Sequence, residues 1–140
     1  MKLLPTVYKI GCWAFVLVGV GHIVTSMLIP TTPERTIIVQ TMKEFSISMI
    51  GTESNLYLFH EGFSLMMGIL LISYGLLNLS MLKTSEAPSK NTIIVNAATS
   101  IIALVISIKY FFLVPTTLLS IAFLCFLMAL IINQFSKNIP

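Results

Sequence analysis

A histidine and a glutamate stand side by side where a long apolar stretch begins, His60-Glu61 in "NLYLFHEGFSLMMG". The chain has one other histidine, His22, which also lies in an apolar stretch. An ionisable side chain costs about 2.5–3.5 kcal/mol at the centre of a membrane helix, so such residues are rare there and often functional. A His/Glu pair can also move protons. These three residues are therefore the first candidates for a site.

The composition indicates the elements that must position them. The chain is 56% hydrophobic and 9% charged, with a mean hydropathy of +0.97, whereas soluble domains carry about 25% charged residues. Four apolar segments are long enough to cross a bilayer core, which takes roughly 20 helical residues. We predict a single all-α domain over 1–140, a polytopic membrane protein with four transmembrane helices in an antiparallel bundle. The predicted spans are 6–29, 55–82, 91–113 and 115–135.

The first connection, over 30–54, is long for a loop. Thr32-Pro33-Glu34 is typical of a helix start. Apolar residues then recur at helical spacing, namely Ile37, Ile38, Met42, Phe45 and Met49. We predict a short amphipathic helix over about 34–49, lying on the bundle or in the membrane interface, with Gly51 ending it.

The distribution of positive charge predicts the orientation. With four spans, one side of the membrane collects five lysines, and the other collects Arg35 and Lys43, with Lys109 near its edge. The more positive side is expected to be cytoplasmic. Both termini would then be cytoplasmic and the long first connection would face outward. The five lysines are Lys2, Lys9, Lys83, Lys90 and Lys137.

Depth and helix faces predict which polar residues could meet. At 1.5 Å per residue, His22, His60, Glu61 and Lys109 lie within roughly 5–12 Å of one another in depth. His60 and His22 each lie on a stripe of small and polar residues, the kind that faces other helices. Glu61 is about 100° around its helix from His60. The candidate ligand-binding residues are His22, His60, Glu61, Tyr57, Ser64 and Tyr110, around an outward-facing cavity roofed by the loop helix.

Each candidate also has a structural interpretation. Glu61 favours the positive end of a helix dipole, and either histidine could make a single interhelical hydrogen bond. Lys109 could form an ion pair with Glu61, or could extend its long side chain to the headgroups. The glycines are typical of close helix packing.

Three segments resemble an uncharacterised family of small bacterial integral membrane proteins: "GVGHIVTS", "TMKEFSISMIG" and "FHEGFSLMMGILLISYGLLNL". The resemblance extends over about residues 10–80, and the second half of the chain matches only in hydropathy. It implies a four-helix architecture and brings no established activity. The predicted location is the bacterial inner (cytoplasmic) membrane. The matching residues are Gly21, His22, Met42, Phe45, Gly51, Phe59, Gly62 and Phe63.

Several functions remain open at this point. The favoured hypothesis is a site for a small apolar or amphipathic molecule, lipid-like or quinone-like, with enzymatic chemistry left open because no nucleophile, phosphate-loop or metal-spacing motif is present. Alternatives are a haem or a metal ion held by His22 and His60, with Glu61 for the metal. A structural or accessory subunit of a membrane complex, or a homo-oligomer, is the remaining alternative. The basic residues are scattered, so no nucleic-acid partner is expected.

Overall fold

The chain forms four long helices, and a short helix and a hairpin lie between the first two. The computed structural model describes residues 3–28, 30–82 and 88–137. Within these residues the four long helices are each long and apolar enough to cross a membrane, and they make this an all-α, multi-pass membrane protein. The predicted fold class is confirmed. In chain order the elements are α1 (Leu3–Leu28), α2 (Pro33–Glu44), β1 (Ser46–Met49), β2 (Thr52–Asn55), α3 (Leu56–Ser80), α4 (Lys90–Tyr110) and α5 (Leu113–Lys137).

The helix ends differ from the prediction by a few residues. Residue 29, the predicted end of the first span, and residues 83–87 of the second connection lie outside the described residues. Helix α4 ends at Tyr110, and α5 begins at Leu113, so only Phe111 and Phe112 connect them. Pro115 falls in the first turn of α5, where its missing N–H leaves no intrahelical bond unmade.

The long helices pack in the order α3, α1, α5, α4, each antiparallel to its neighbour. Glycines allow α1 and α3 to approach closely, because a Cβ on Gly19 would lie 2.6 Å from the carbonyl oxygen of Gly68. Aromatic rings fill the centre, where Tyr8 and Phe15 of α1 pack against Phe126 of α5. The first and last helices in this order, α3 and α4, do not pack extensively against each other.

The first connection departs from the prediction after one short helix. Thr32 caps α2 by accepting a hydrogen bond from the Arg35 backbone N–H at 3.2 Å. The pKa of Glu34 is lowered, because its own backbone N–H and the Thr32 hydroxyl hydrogen-bond to its carboxylate. The predicted helix over 34–49 is wrong beyond Glu44, because 46–49 form strand β1, paired antiparallel with β2.

Two features explain the hairpin. Phe45, Ile47 and Met49 alternate with serines, and a spacing of four between Phe45 and Met49 suits a strand as well as a helix. Gly51 does not end a helix. It forms the turn with Ile50, with φ of 78° and 47° respectively, as expected for a two-residue type I′ hairpin turn.

We call the end of the bundle that carries α2 and the hairpin the loop end, and the opposite end, where α1 begins, the termini end. None of the residues of α2 is buried. The helix is held to the start of α3 by Lys43, whose Nζ lies 5.2 Å from the centre of the Tyr57 ring.

Candidate functional site

A cavity of about 390 Å³ lies between the four long helices at the loop end. Its walls come from the loop-end half of α1 and α3, from the last turns of α4 and from the start of α5. Most of the lining is aliphatic or aromatic, such as Leu17, Leu71 and Leu118. Clefts that bind small molecules usually have volumes of about 300–1,000 Å³ and mainly apolar walls with a few polar groups. This cavity has that character.

His22 and Ser64 form one polar part of the wall, and the other polar lining residues are Thr25, Ser26, His60 and Ser107. His22 Nε2 lies 2.8 Å from Ser64 Oγ, a hydrogen bond that joins α1 to α3. Both residues line the cavity. The stripe of small and polar residues predicted on the second span, which is α3, therefore faces His22 at Ser64.

Ser64 differs from most other serines in the bundle, although Ser107 of α4 also bonds across a helix interface, to Thr116 of α5. A serine inside a helix commonly donates to a carbonyl three or four residues earlier in its own helix. Four serines here do so, namely Ser26, Ser80, Ser100 and Ser120. The hydrogen bond of Ser64 goes instead to His22, across the helix interface. The packing of α1 against α3 therefore brings a serine hydroxyl and an imidazole together on the cavity wall.

His60 lies at the rim of the cavity, one turn before Ser64. Its side chain is 64% exposed, and its Nδ1 lies 4.0 Å from Glu61 Oε1. Glu61 itself does not line the cavity. Its position, about 100° around the helix, directs it away from the wall that His60 and Ser64 share.

The other two predicted cavity residues also lie outside it. Tyr57, in the first turn of α3, packs beneath Lys43 above the cavity. Tyr110 is the last residue of α4 and is exposed, with Lys109 Nζ 5.1 Å from its ring centre. Lys109 therefore lies over Tyr110, and the ion pair with Glu61 is not formed. Residues of α2 do not contribute to the lining, so the loop helix does not roof the cavity.

A second polar cluster, which the sequence analysis missed, lies towards the termini end. The Asn96 Nδ2 group donates to Tyr8 Oη at 2.9 Å and to Asn78 Oδ1 at 2.8 Å. Tyr8 in turn donates to Asn78 Oδ1 at 2.9 Å, and Tyr74 donates to Asn96 Oδ1. The cluster joins α1, α3 and α4 below the cavity. The available signal was the presence of an asparagine inside each of two apolar helices, because a buried amide requires partners.

The His22–Ser64 pair has hydrogen-bonding capacity left for a ligand. If Nε2 accepts a hydrogen bond from the Ser64 hydroxyl, His22 Nδ1–H remains a donor and Ser64 Oγ can still accept. If Nε2 donates, the Ser64 hydroxyl proton is free to donate, and its oxygen has a remaining lone pair. In both tautomers the pair offers one donor and at least one acceptor.

The geometry gives less support to a metal site. Among residues 3–28, 30–82 and 88–137, no group of three or more His, Cys, Asp or Glu side chains is placed to hold a metal ion. His22 and His60 both line the cavity. The predicted haem held by these two residues stays a prediction from the sequence.

Comparison with family models, curated proteins and solved structures found no match to this chain.

Proposed function

We propose that this protein binds a small apolar or amphipathic molecule, lipid-like or quinone-like, in the cavity at the loop end of the bundle. The observation that carries the proposal is the His22–Ser64 hydrogen bond of 2.8 Å on the wall of an otherwise mainly apolar cavity. A ligand with one polar atom could bond to this pair while the aliphatic walls cover its apolar body.

The proposed location is the bacterial inner (cytoplasmic) membrane, with the loop end facing outward and both termini in the cytoplasm. Support comes from the sequence, which assigns more lysines to the side of the membrane that carries the termini than to the side that carries the first connection. The family resemblance over residues 10–80 supports the bacterial membrane. In this orientation the cavity lies near the outer surface of the bilayer.

The test uses the full chain reconstituted in lipid nanodiscs. A short alkanol that carries a photoreactive diazirine is added and irradiated, and labelled residues are identified by mass spectrometry. Labelling is expected at Met67 and its neighbours on the cavity wall, and a molecule that co-purifies with the protein should compete with it. His22→Ala and Ser64→Ala should each reduce this labelling strongly.

Ser80→Ala is the matched control, because Ser80 lies on the same helix at the termini end and bonds to its own helix at Leu77. Circular dichroism checks that each variant remains helical. Equal labelling in the wild type and in both cavity variants would refute the proposal, and absence of any label in the cavity would favour the accessory-subunit alternative. A Soret band in the purified protein would instead identify haem as the occupant.

A further inference from the structure

One side of the cavity is not closed by helix packing, because two of the four helices around it do not pack extensively against each other. Packing runs from α3 through α1 and α5 to α4, and the circle lacks an extensive contact between α3 and α4. These two helices are joined towards the termini end, where Asn96 of α4 bonds to Tyr74 and Asn78 of α3. Within the described residues, no hydrogen bond joins α3 to α4 at the level of the cavity.

Exposed residues lie at this gap and line the cavity at the same time. Ile106 of α4 is 48% exposed, and Phe112, just after α4, is 62% exposed, yet both contribute to the lining. His60 of α3 does the same on the opposite side. A residue that both lines a cavity and is exposed marks the rim. Leu17 of α1 and Val114 of α5 also meet this description, and the lack of extensive packing between α3 and α4 is what places an opening between those two helices.

The opening lies along the flank of the bundle. Ile106 is one turn inside the end of α4, within a helix long and apolar enough to cross a membrane. Its flank is therefore covered by lipid, and a water-soluble ligand would have to cross that lipid to reach the gap. A molecule already dissolved in the bilayer meets no such barrier.

We infer that the gap between α3 and α4 is a lateral portal, through which the ligand enters the cavity from the lipid. This inference rests on the proposed ligand site and specifies its ligand class: an uncharged, membrane-dissolved molecule with one hydroxyl or carbonyl group. A charged headgroup is excluded from this class, because among the cavity-lining residues only histidines can carry a charge, and moving an ion through lipid is costly. The hydroxyl or carbonyl bonds to the His22–Ser64 pair.

Exit of the diazirine alkanol through the portal provides the test. Nanodiscs loaded with the probe are mixed with an excess of probe-free vesicles, samples are irradiated at successive times, and the decline in labelling at Met67 gives the exit rate. Ile106→Trp narrows the portal and should slow exit about tenfold, a change of about 1.4 kcal/mol in the barrier. Ile106→Ala widens the portal and should accelerate exit.

Ile108→Trp and Ile108→Ala are the matched controls, because Ile108 is an exposed isoleucine on the same helix and does not line the cavity. They should leave the exit rate unchanged. Ile106→Trp could abolish the initial labelling by filling the cavity. In that case the exit rate of Ile106→Ala alone tests the portal, and faster exit than in the wild type supports it.

The outcomes separate the two proposals. Wild-type protein that shows no cavity labelling at any time would refute the ligand site itself. Cavity labelling with the same exit rate in the wild type and in Ile106→Ala would retain the ligand site and overturn the portal. Equal effects of substitution at 106 and 108 would also overturn it.

Discussion

Ser64 of α3 and His22 of α1 lie 42 positions apart in the chain, and their side chains share a hydrogen bond of 2.8 Å between Oγ and Nε2. The bond connects two helices whose glycines already hold them at close range. It therefore has two consequences, one for ligand binding and one for the stability of the α1–α3 pair.

The stability consequence is measurable by a double-mutant cycle. His22→Ala and Ser64→Ala, alone and together, should give a coupling free energy of about 0.6 kcal/mol, and up to about 1.7 kcal/mol, the range found for interhelical hydrogen bonds in membranes. Unfolding in mixed micelles gives the free energies. A cycle between His22 and the distant Ser80 should give additive effects, and additivity between His22 and Ser64 would contradict the structural bond.

Asn96 is expected to be the most important polar residue for stability. Asn96→Ala removes the donor to Tyr8 and Asn78 and the acceptor for Tyr74, and leaves those groups without this partner in a buried site. We expect a loss of about 2 kcal/mol in the free energy of unfolding. The measurement is the same micelle unfolding assay.

Asn91→Ala is the control for this substitution, because Asn91 is an exposed asparagine near the start of the same helix. Its replacement should change stability by less than about 0.5 kcal/mol. If the two alanine variants were equally stable, the Asn96 cluster would not hold the bundle together.

The sequence predicted much of the bundle and part of the site. Uninterrupted apolar segments identify the spans, because length and hydropathy alone decide whether a helix can cross lipid. The helical period also placed His60 and Ser64 on one wall. Glu61 was harder, because one residue of helix turns a side chain by about 100°, and only the neighbouring helix decides whether that direction meets the cavity.

The features that the sequence did not predict depend mainly on contacts between segments that are distant in the chain. The cluster of Tyr8, Asn78 and Asn96 depends on the heights at which three helices meet, which no local period encodes. The hairpin was missed because Phe45 and Met49 fit a helix and a strand equally well. Residues Ile50 and Gly51 then decide in favour of the strand pair, by forming the two-residue turn.

Gly19 should be far less tolerant of substitution than Gly21. A Cβ at Gly19 would lie 2.6 Å from the Gly68 carbonyl oxygen, a backbone atom that cannot move without separating α1 from α3. We expect Gly19→Ala to destabilise the protein by about 1–3 kcal/mol, the usual range for overpacking.

Gly21→Ala provides the comparison on the same helix. A Cβ there meets nothing within 4 Å, and alanine favours a helix over glycine by up to about 1 kcal/mol. This variant should be at least as stable as the wild type in the same unfolding assay. Equal destabilisation by both substitutions would show that the close approach at Gly19 is not formed.

Ile50 should be replaceable with a gain in local stability. Its φ of 47° lies in the left-handed region, which is costly for a β-branched side chain, and its side chain is fully exposed, so little packing offsets the cost. Asparagine is favoured at this position of a type I′ turn. Ile50→Asn should therefore stabilise the hairpin by about 1 kcal/mol. Amide hydrogen exchange should then slow at Ile47 and Ser54, which form a hydrogen-bonded pair of the hairpin. Ile50→Val keeps the β-branch and should exchange like the wild type, and equally slow exchange in both variants would attribute the gain to lost apolar surface rather than to relieved backbone strain.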